Sequence, residues 1–119
     1  MLIVDDNEDA ASSMALLQEL RGHVTRTAAN GTDDLKIAAD FVPQVVLLDI
    51  GLPGMDGFEV ARRLRELPAM KSSFLIALTG YGSQSDRQRA KEAGFNEHLV
   101  KPADMNLLGG WLDRVPPGE

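Results

Sequence analysis

The chain has 119 residues, no cysteine, 44% hydrophobic and 25% charged residues, and a formal net charge of -6. One domain of ordinary size fits that length, with enough apolar material for a core without staples. The missing cysteines exclude a disulfide framework and a thiolate metal site, the acidic balance argues against non-specific nucleic-acid binding, and no apolar run approaches the roughly 18 residues of a membrane span.

Met1 to Val4 reads as a short buried strand, and acids follow at once at Asp5 and Asp6, which leaves no signal peptide. Asn7 is placed to cap a helix running to about Leu20, with Met14, Leu17 and Arg21 on one side and Ala10 above them. Val24 to Ala28 is a second strand, and Asn30-Gly31-Thr32 is a turn with a cap. The next helix runs to about Phe41, carries Leu35, Ala38 and Ala39, and is stopped by Pro43. Val45 to Leu48 is the third strand. A third helix spans about Phe58 to Leu67, with Val60, Ala61 and Leu64 facing in and Pro68 closing it. Phe74 to Leu78 is the fourth strand. Ser83 opens a fourth helix with Asp86 in capping-box spacing, and Gly94 ends it. His98 to Val100 is the fifth strand, and a fifth helix covers Asp104 to about Asp113.

Strand and helix alternate five times, and the apolar runs lack the period-two pattern of a half-exposed sheet. That combination predicts an α/β fold with a parallel sheet covered by helices on both faces. No internal repeat or linker interrupts residues 1–119 before Pro116-Pro117-Gly118, so the expectation is a single domain. Ligands in such sheets sit at the carboxyl ends of the strands. Asp5 and Asp6 follow the first strand, Asp49 ends the third, Thr79 follows the fourth, and Lys101 follows the fifth.

Three carboxylates, one hydroxyl and one ammonium are therefore expected on one rim. Two carboxylates about 4 Å apart repel by roughly 4 kcal/mol at an effective dielectric of 20. Lys101 offsets one charge, and a divalent cation would neutralise the others. Oxygen donors without His or Cys favour Mg²⁺ or a similar hard ion such as Mn²⁺. A carboxylate, a hard cation, a Lys and a Thr hydroxyl are the parts for phosphoryl transfer onto the carboxylate. In that chemistry Asp49 is the nucleophile, Asp6 holds the metal, Asp5 assists directly or through water, and Lys101 and Thr79 each contact a phosphoryl oxygen.

The stretches LIVDDN (Leu2 to Asn7), VVLLDIGLPGMDGFE (Val45 to Glu59), ALTGYG (Ala77 to Gly82) and HLVKP (His98 to Pro102) resemble the response-regulator receiver domains of the CheY-like kind, over essentially the whole chain. The resemblance implies a flavodoxin-like doubly wound sheet with strand order 2-1-3-4-5. It implies Asp49 as phosphoacceptor, Asp5 and Asp6 as the acid pair, Thr79 and Lys101 as their partners, the Gly51 carbonyl as a further metal ligand, and a cis bond before Pro102. It also implies a histidine kinase or histidine phosphotransfer protein as donor, and a signalling face made of the fourth helix, fifth strand and fifth helix. A cytoplasmic switch is then expected, one that catalyses only its own phosphorylation and dephosphorylation and binds neither nucleic acid nor membrane directly. Its output partner and oligomeric state are not readable from the sequence.

Some positions depart from the family pattern. Gly51 leaves bare a position that often contacts the phosphoryl group, and Tyr81 is placed to shield the site from the other side, so the two together are expected to set the lifetime of the acyl phosphate. His98 stands where the family commonly has a Tyr or Phe switch. It is either a switch that also titrates near neutrality or a half-exposed polar residue on an edge strand. The fourth helix carries little apolar stripe beyond Ala90 and Ala93. Trp111 is expected to hold the fifth helix, weakened by Gly109-Gly110, to the core. Arg62, Arg63 and Arg65 are expected on a solvated helix face, and His23 in a surface loop. Rival functions fit less well. A dehalogenase-type phosphatase needs an Asp where Gly51 stands, and an FMN binder would meet the acids of DDNED. A receiver within a hybrid histidine kinase and a phosphorylation-independent interaction module remain as alternatives.

Overall fold

Alternate residues of the central strands enter two different cores, as the period of an extended chain requires. The computed structural model describes residues 1–5, 7–29, 31–41, 43–50, 57–80, 84–100 and 105–112. Its strands are β1 (Leu2–Val4), β2 (Arg26–Ala28), β3 (Val45–Asp49), β4 (Phe74–Thr79) and β5 (Glu97–Val100), and its helices are α1 (Glu8–Leu20), α2 (Gly31–Phe41), α3 (Gly57–Glu66), α4 (Gln84–Ala93) and α5 (Met105–Leu112). The strands form one parallel sheet in the order β2-β1-β3-β4-β5. Leu2, Val46, Leu48 and Ala77 pack beneath α2, α3 and α4, while Ile3, Leu47, Ile76 and Leu78 pack beneath α1 and α5. The doubly wound α/β fold expected from the alternation, with helices on both faces, is the fold observed.

The helices are cut where their sequence allows. The Asn7 side chain accepts from the Ala10 backbone N–H at 3.0 Å, which satisfies one of the donors a helix start leaves open. Pro68 does end α3, and a 3₁₀ turn over Pro68–Met70, unforeseen in the sequence, carries the chain to β4. Gly94 ends α4 with φ +107°, a conformation that side-chain-bearing residues rarely adopt. The edge strand β2 is shorter than expected, starting at Arg26 rather than Val24. Ser83, expected to open α4, falls outside the described residues.

Three packing expectations are corrected. The buried face of α1 is Ala11, Ala15 and Gln18, whereas Leu16, Leu17 and Leu20 are exposed. Small side chains let α1 lie close on the sheet, and the bulkier leucines are left outside. In α2, Ala38 is buried, Ala39 is exposed, and Ile37 joins Leu35 against the core instead. Arg65 does not lie on a solvated face. Its guanidinium donates to the carbonyls of Gly94 (2.7 and 3.0 Å), Ser73 (2.7 Å) and Met70 (3.1 Å) and to Asn96 Oδ1 (2.7 Å). The same Asn96 oxygen accepts from the Leu75 backbone N–H at 2.8 Å. This clamp ties α3, the 3₁₀ turn, the start of β4, the end of α4 and the entry to β5. Desolvation at this place pulls the Arg65 pKa below the ordinary arginine value. Arg62 and Arg63 are solvated as expected, each 3.3 Å from Glu59. Trp111 is half-buried against the α1/α5 core, and His23 is a half-buried loop residue.

Candidate functional site

The carboxyl ends of the central strands bring chemistry together through sheet register alone. Val4 pairs with Leu48, so Asp5 and Asp49 come next along their strands, on the same side as Ile3 and Leu47. Neighbouring strands run about 4.8 Å apart, which sets two acidic residues side by side along the backbone. On the other flank Asp49 pairs with Leu78, and the Ile50 N–H donates to the Leu78 carbonyl at 3.1 Å, extending the pairing one step past Asp49. Thr79 is the next residue of β4. Both Asp49 and Thr79 are only 3% exposed. A buried carboxylate is costly unless donors or cations compensate it.

Asp5 is half-buried. Its backbone N–H donates to the Ala28 carbonyl at 3.0 Å, and its Oδ1 accepts from the Asn7 N–H at 3.0 Å, so the carboxylate is oriented before α1 begins. It opens onto a cleft of about 410 Å³ that is also lined by Glu8, Asp33 and Lys36. Those three bordering residues were not singled out in the sequence. Only the acidic run DDNED hinted at Glu8.

His98, half-buried on β5, places Nε2 3.1 Å from Thr79 Oγ1. It also lines a groove between α4 and β5 with Arg87, Lys91 and Glu97. Across the top of α3, the Arg89 guanidinium sits 4.3 Å from the centroid of the buried Phe58 ring, joining α4 to the turn of chain that follows the Asp49 loop. A cation on an aromatic face at that distance is attractive, by about 0.5–1 kcal/mol where exposed. An aromatic at a helix start facing an otherwise polar helix was the only sequence signal for this contact.

Of the expected site residues, the structure brings Asp5, Asp49 and Thr79 to one rim, and His98, two residues short of the end of β5, reaches Thr79. Asp6, Gly51, Tyr81, Lys101 and Pro102 lie outside the described residues. Among the described residues no three His, Cys, Asp or Glu side chains gather as a metal cluster. Asp5 and Asp49, neighbours by strand register, offer hard oxygen donors that suit Mg²⁺ rather than a soft ion. No helix among the described residues is long and apolar enough to cross a membrane.

Comparison with known proteins agrees with this geometry. The family model for the response regulator receiver domain matches residues 1–111. Sporulation initiation phosphotransferase F of Bacillus subtilis is 35% identical over 117 residues, covering 98% of this chain and 93% of that protein. Among solved structures, chemotaxis protein CheY4 of Vibrio cholerae superposes with a TM-score of 0.89 at 30% identity, covering 97% of this chain and 96% of that one. A Burkholderia pseudomallei response regulator, solved with a phosphorylated aspartic acid, calcium ion and citrate, superposes with a TM-score of 0.84 at 28% identity, covering 92% of this chain and 63% of that one. Several other curated relatives are longer, the chain spanning between 24% and 50% of their length. The chain belongs to the response regulator receiver domain family.

Proposed function

We propose that this receiver domain is a phosphorylation switch that takes a phosphoryl group onto Asp49 from a phosphohistidine, presented by a histidine kinase or a histidine phosphotransfer protein. The observation that carries the proposal is the buried Asp49 at the end of β3, flanked in register by Asp5 on one side and by Leu78 and Thr79 on the other. The name of the Bacillus phosphotransferase and the phosphorylated aspartic acid of the Burkholderia regulator support the same reading.

An Asp49 carboxylate oxygen forms a new bond to phosphorus while the phosphorus–nitrogen bond of the donor breaks. The electron pair of that bond stays on the donor imidazole, which gains a proton. Thr79 donates its hydroxyl hydrogen to one phosphoryl oxygen, and Lys101 pairs with another. Asp5, Asp6, Asp49 and the Gly51 carbonyl would hold Mg²⁺, which when bound neutralises charge on the phosphoryl oxygens and the acids. Tyr81 shields the acyl phosphate from water, and Tyr81→Ala is expected to change its hydrolysis rate. The phosphoryl group then shifts a pre-existing equilibrium of the α4, β5 and α5 surface, in a domain working in the cytoplasm.

Incubation with acetyl phosphate and Mg²⁺, followed by intact mass spectrometry, tests the reading. One added phosphoryl group is expected, and Asp49→Ala is expected to abolish it. A wild-type chain that stays unmodified, or a variant that is modified equally, would remove Asp49 as phosphoacceptor.

A further inference from the structure

The contact between Thr79 and His98 carries a consequence that depends on which atom holds the proton. Ala77 pairs with His98 in the sheet, so Thr79, two residues past Ala77, lies diagonally across from His98 on the same side, and their Oγ1 and Nε2 atoms are 3.1 Å apart. A threonine hydroxyl has one hydrogen to give. If Nε2 is unprotonated, Thr79 gives that hydrogen to the ring and has none for a phosphoryl oxygen. If Nε2 carries a proton, the ring donates to Oγ1 and the hydroxyl hydrogen is released toward Asp49. A neutral imidazole can take either arrangement by exchanging tautomers, whereas an imidazolium takes only the second.

We propose that the phosphorylated state of this domain is proton-linked through His98: the ring takes up a proton when Asp49 carries a phosphoryl group, and acidification in turn stabilises that state. This rests on the assignment of Asp49 as phosphoacceptor and adds to it. The phosphoryl group claims the Thr79 hydroxyl hydrogen, which leaves the ring in the donating role, and its negative charge also favours the imidazolium. Arg87 and Lys91 of α4 line the same groove as His98 and oppose its protonation, while Glu97 of β5 supports it. β4 and α5 contain no charged residue. Lys101 lies outside the described residues. A Phe or Tyr in this position would carry no group that titrates near neutrality.

The sign follows from linkage. A proton acceptor whose midpoint is higher in the phosphorylated state favours that state at low pH, and the advantage is lost as pH rises through the higher midpoint. An unperturbed imidazole titrates near pH 6.5, and a nearby opposite charge raises such a midpoint by about one unit or more. A one-unit rise corresponds to about a tenfold preference below both midpoints.

The test is a ring-resonance NMR titration of His98 with and without Mg²⁺ and beryllofluoride as phosphoryl mimic. Binding of the mimic is read separately from the Ile50 and Phe58 amides. The His98 midpoint is expected to rise by about one pH unit on binding, the His23 titration is expected to be the same in both samples, and Thr79→Val is expected to diminish the His98 rise to the part that the charge of the mimic alone supplies. In parallel, the wild-type affinity for the mimic relative to that of His98→Phe is expected to be about tenfold higher at acid pH than at alkaline pH. A bound mimic with an unmoved His98 midpoint, a rise undiminished by Thr79→Val, or matching pH profiles for wild type and His98→Phe would each overturn the proposal. Amides that never respond to the mimic would instead overturn the phosphoacceptor assignment, and the inference with it.

Discussion

Gly57 opens α3 eight residues after Asp49, and a Cβ built on it would lie 2.6 Å from Ile50 Cα. Real side chains do not approach a backbone that closely, so Gly57→Ala must push the Ile50 segment away. Overpacking of this kind costs about 1–3 kcal/mol, and the urea midpoint of Gly57→Ala is expected to fall accordingly with an unchanged slope. An unmoved midpoint would show that the loop yields freely. In the sequence Gly57 is only one residue of the stretch VVLLDIGLPGMDGFE, because a requirement for no side chain depends on what arrives from elsewhere in the chain. Asp49 was legible for the opposite reason: a charge that ends an apolar run is a local contradiction, and it points to function by itself. His98 was legible as a position but not as a partner, since its hydrogen bond to Thr79 needs the β4–β5 register. Arg65 stood four residues after the buried Ala61, at the edge of the apolar stripe, and that spacing was the overlooked sign that it differs from Arg62 and Arg63.

At the level of elements, the Arg65 clamp joins α3, the 3₁₀ turn, the start of β4, the end of α4 and the entry to β5 through one side chain. Removing it leaves several carbonyls without their donor. Arg65→Met, which keeps the apolar stem, is expected to cost about 2–4 kcal/mol in chemical denaturation. Arg63→Met is expected to stay within about 0.5 kcal/mol, because its pair with Glu59 is exposed. Equal losses in the two variants would place the clamp's stabilisation elsewhere. Helix limits were largely legible through Asn7, Pro68 and Gly94, whose backbone chemistry acts locally. The buried face of α1 was misjudged at Leu17, which hydrophobicity favoured, whereas close approach to the sheet favoured Ala11 and Ala15.

For the whole molecule, the doubly wound sheet was readable from the alternation of elements, and the site rim followed from the rule that ligands meet strand ends. The exposure of each face was not readable, because it depends on how closely helices settle. Asp5 and Asp49 meet only when β1 lies beside β3, so Mg²⁺ bound there rewards the native topology and no simpler state. At tenfold excess over its dissociation constant, Mg²⁺ is expected to contribute about 1.4 kcal/mol and raise the thermal midpoint by roughly 5 °C. Asp49→Asn is expected to lose most of that rise, and an undiminished rise would place the ion elsewhere. The clamp on Gly94 and Asn96 also fixes how α4 is free to travel. With its last turn fastened and its length supported by Ala90, Ala93 and the stacking of Arg89 on Phe58, α4 is a lever whose fulcrum lies at the end remote from Thr79. Ten residues at 1.5 Å each make an arm of about 15 Å, so a tilt of about 10° carries the first turn by roughly 2 Å and leaves the last one in place.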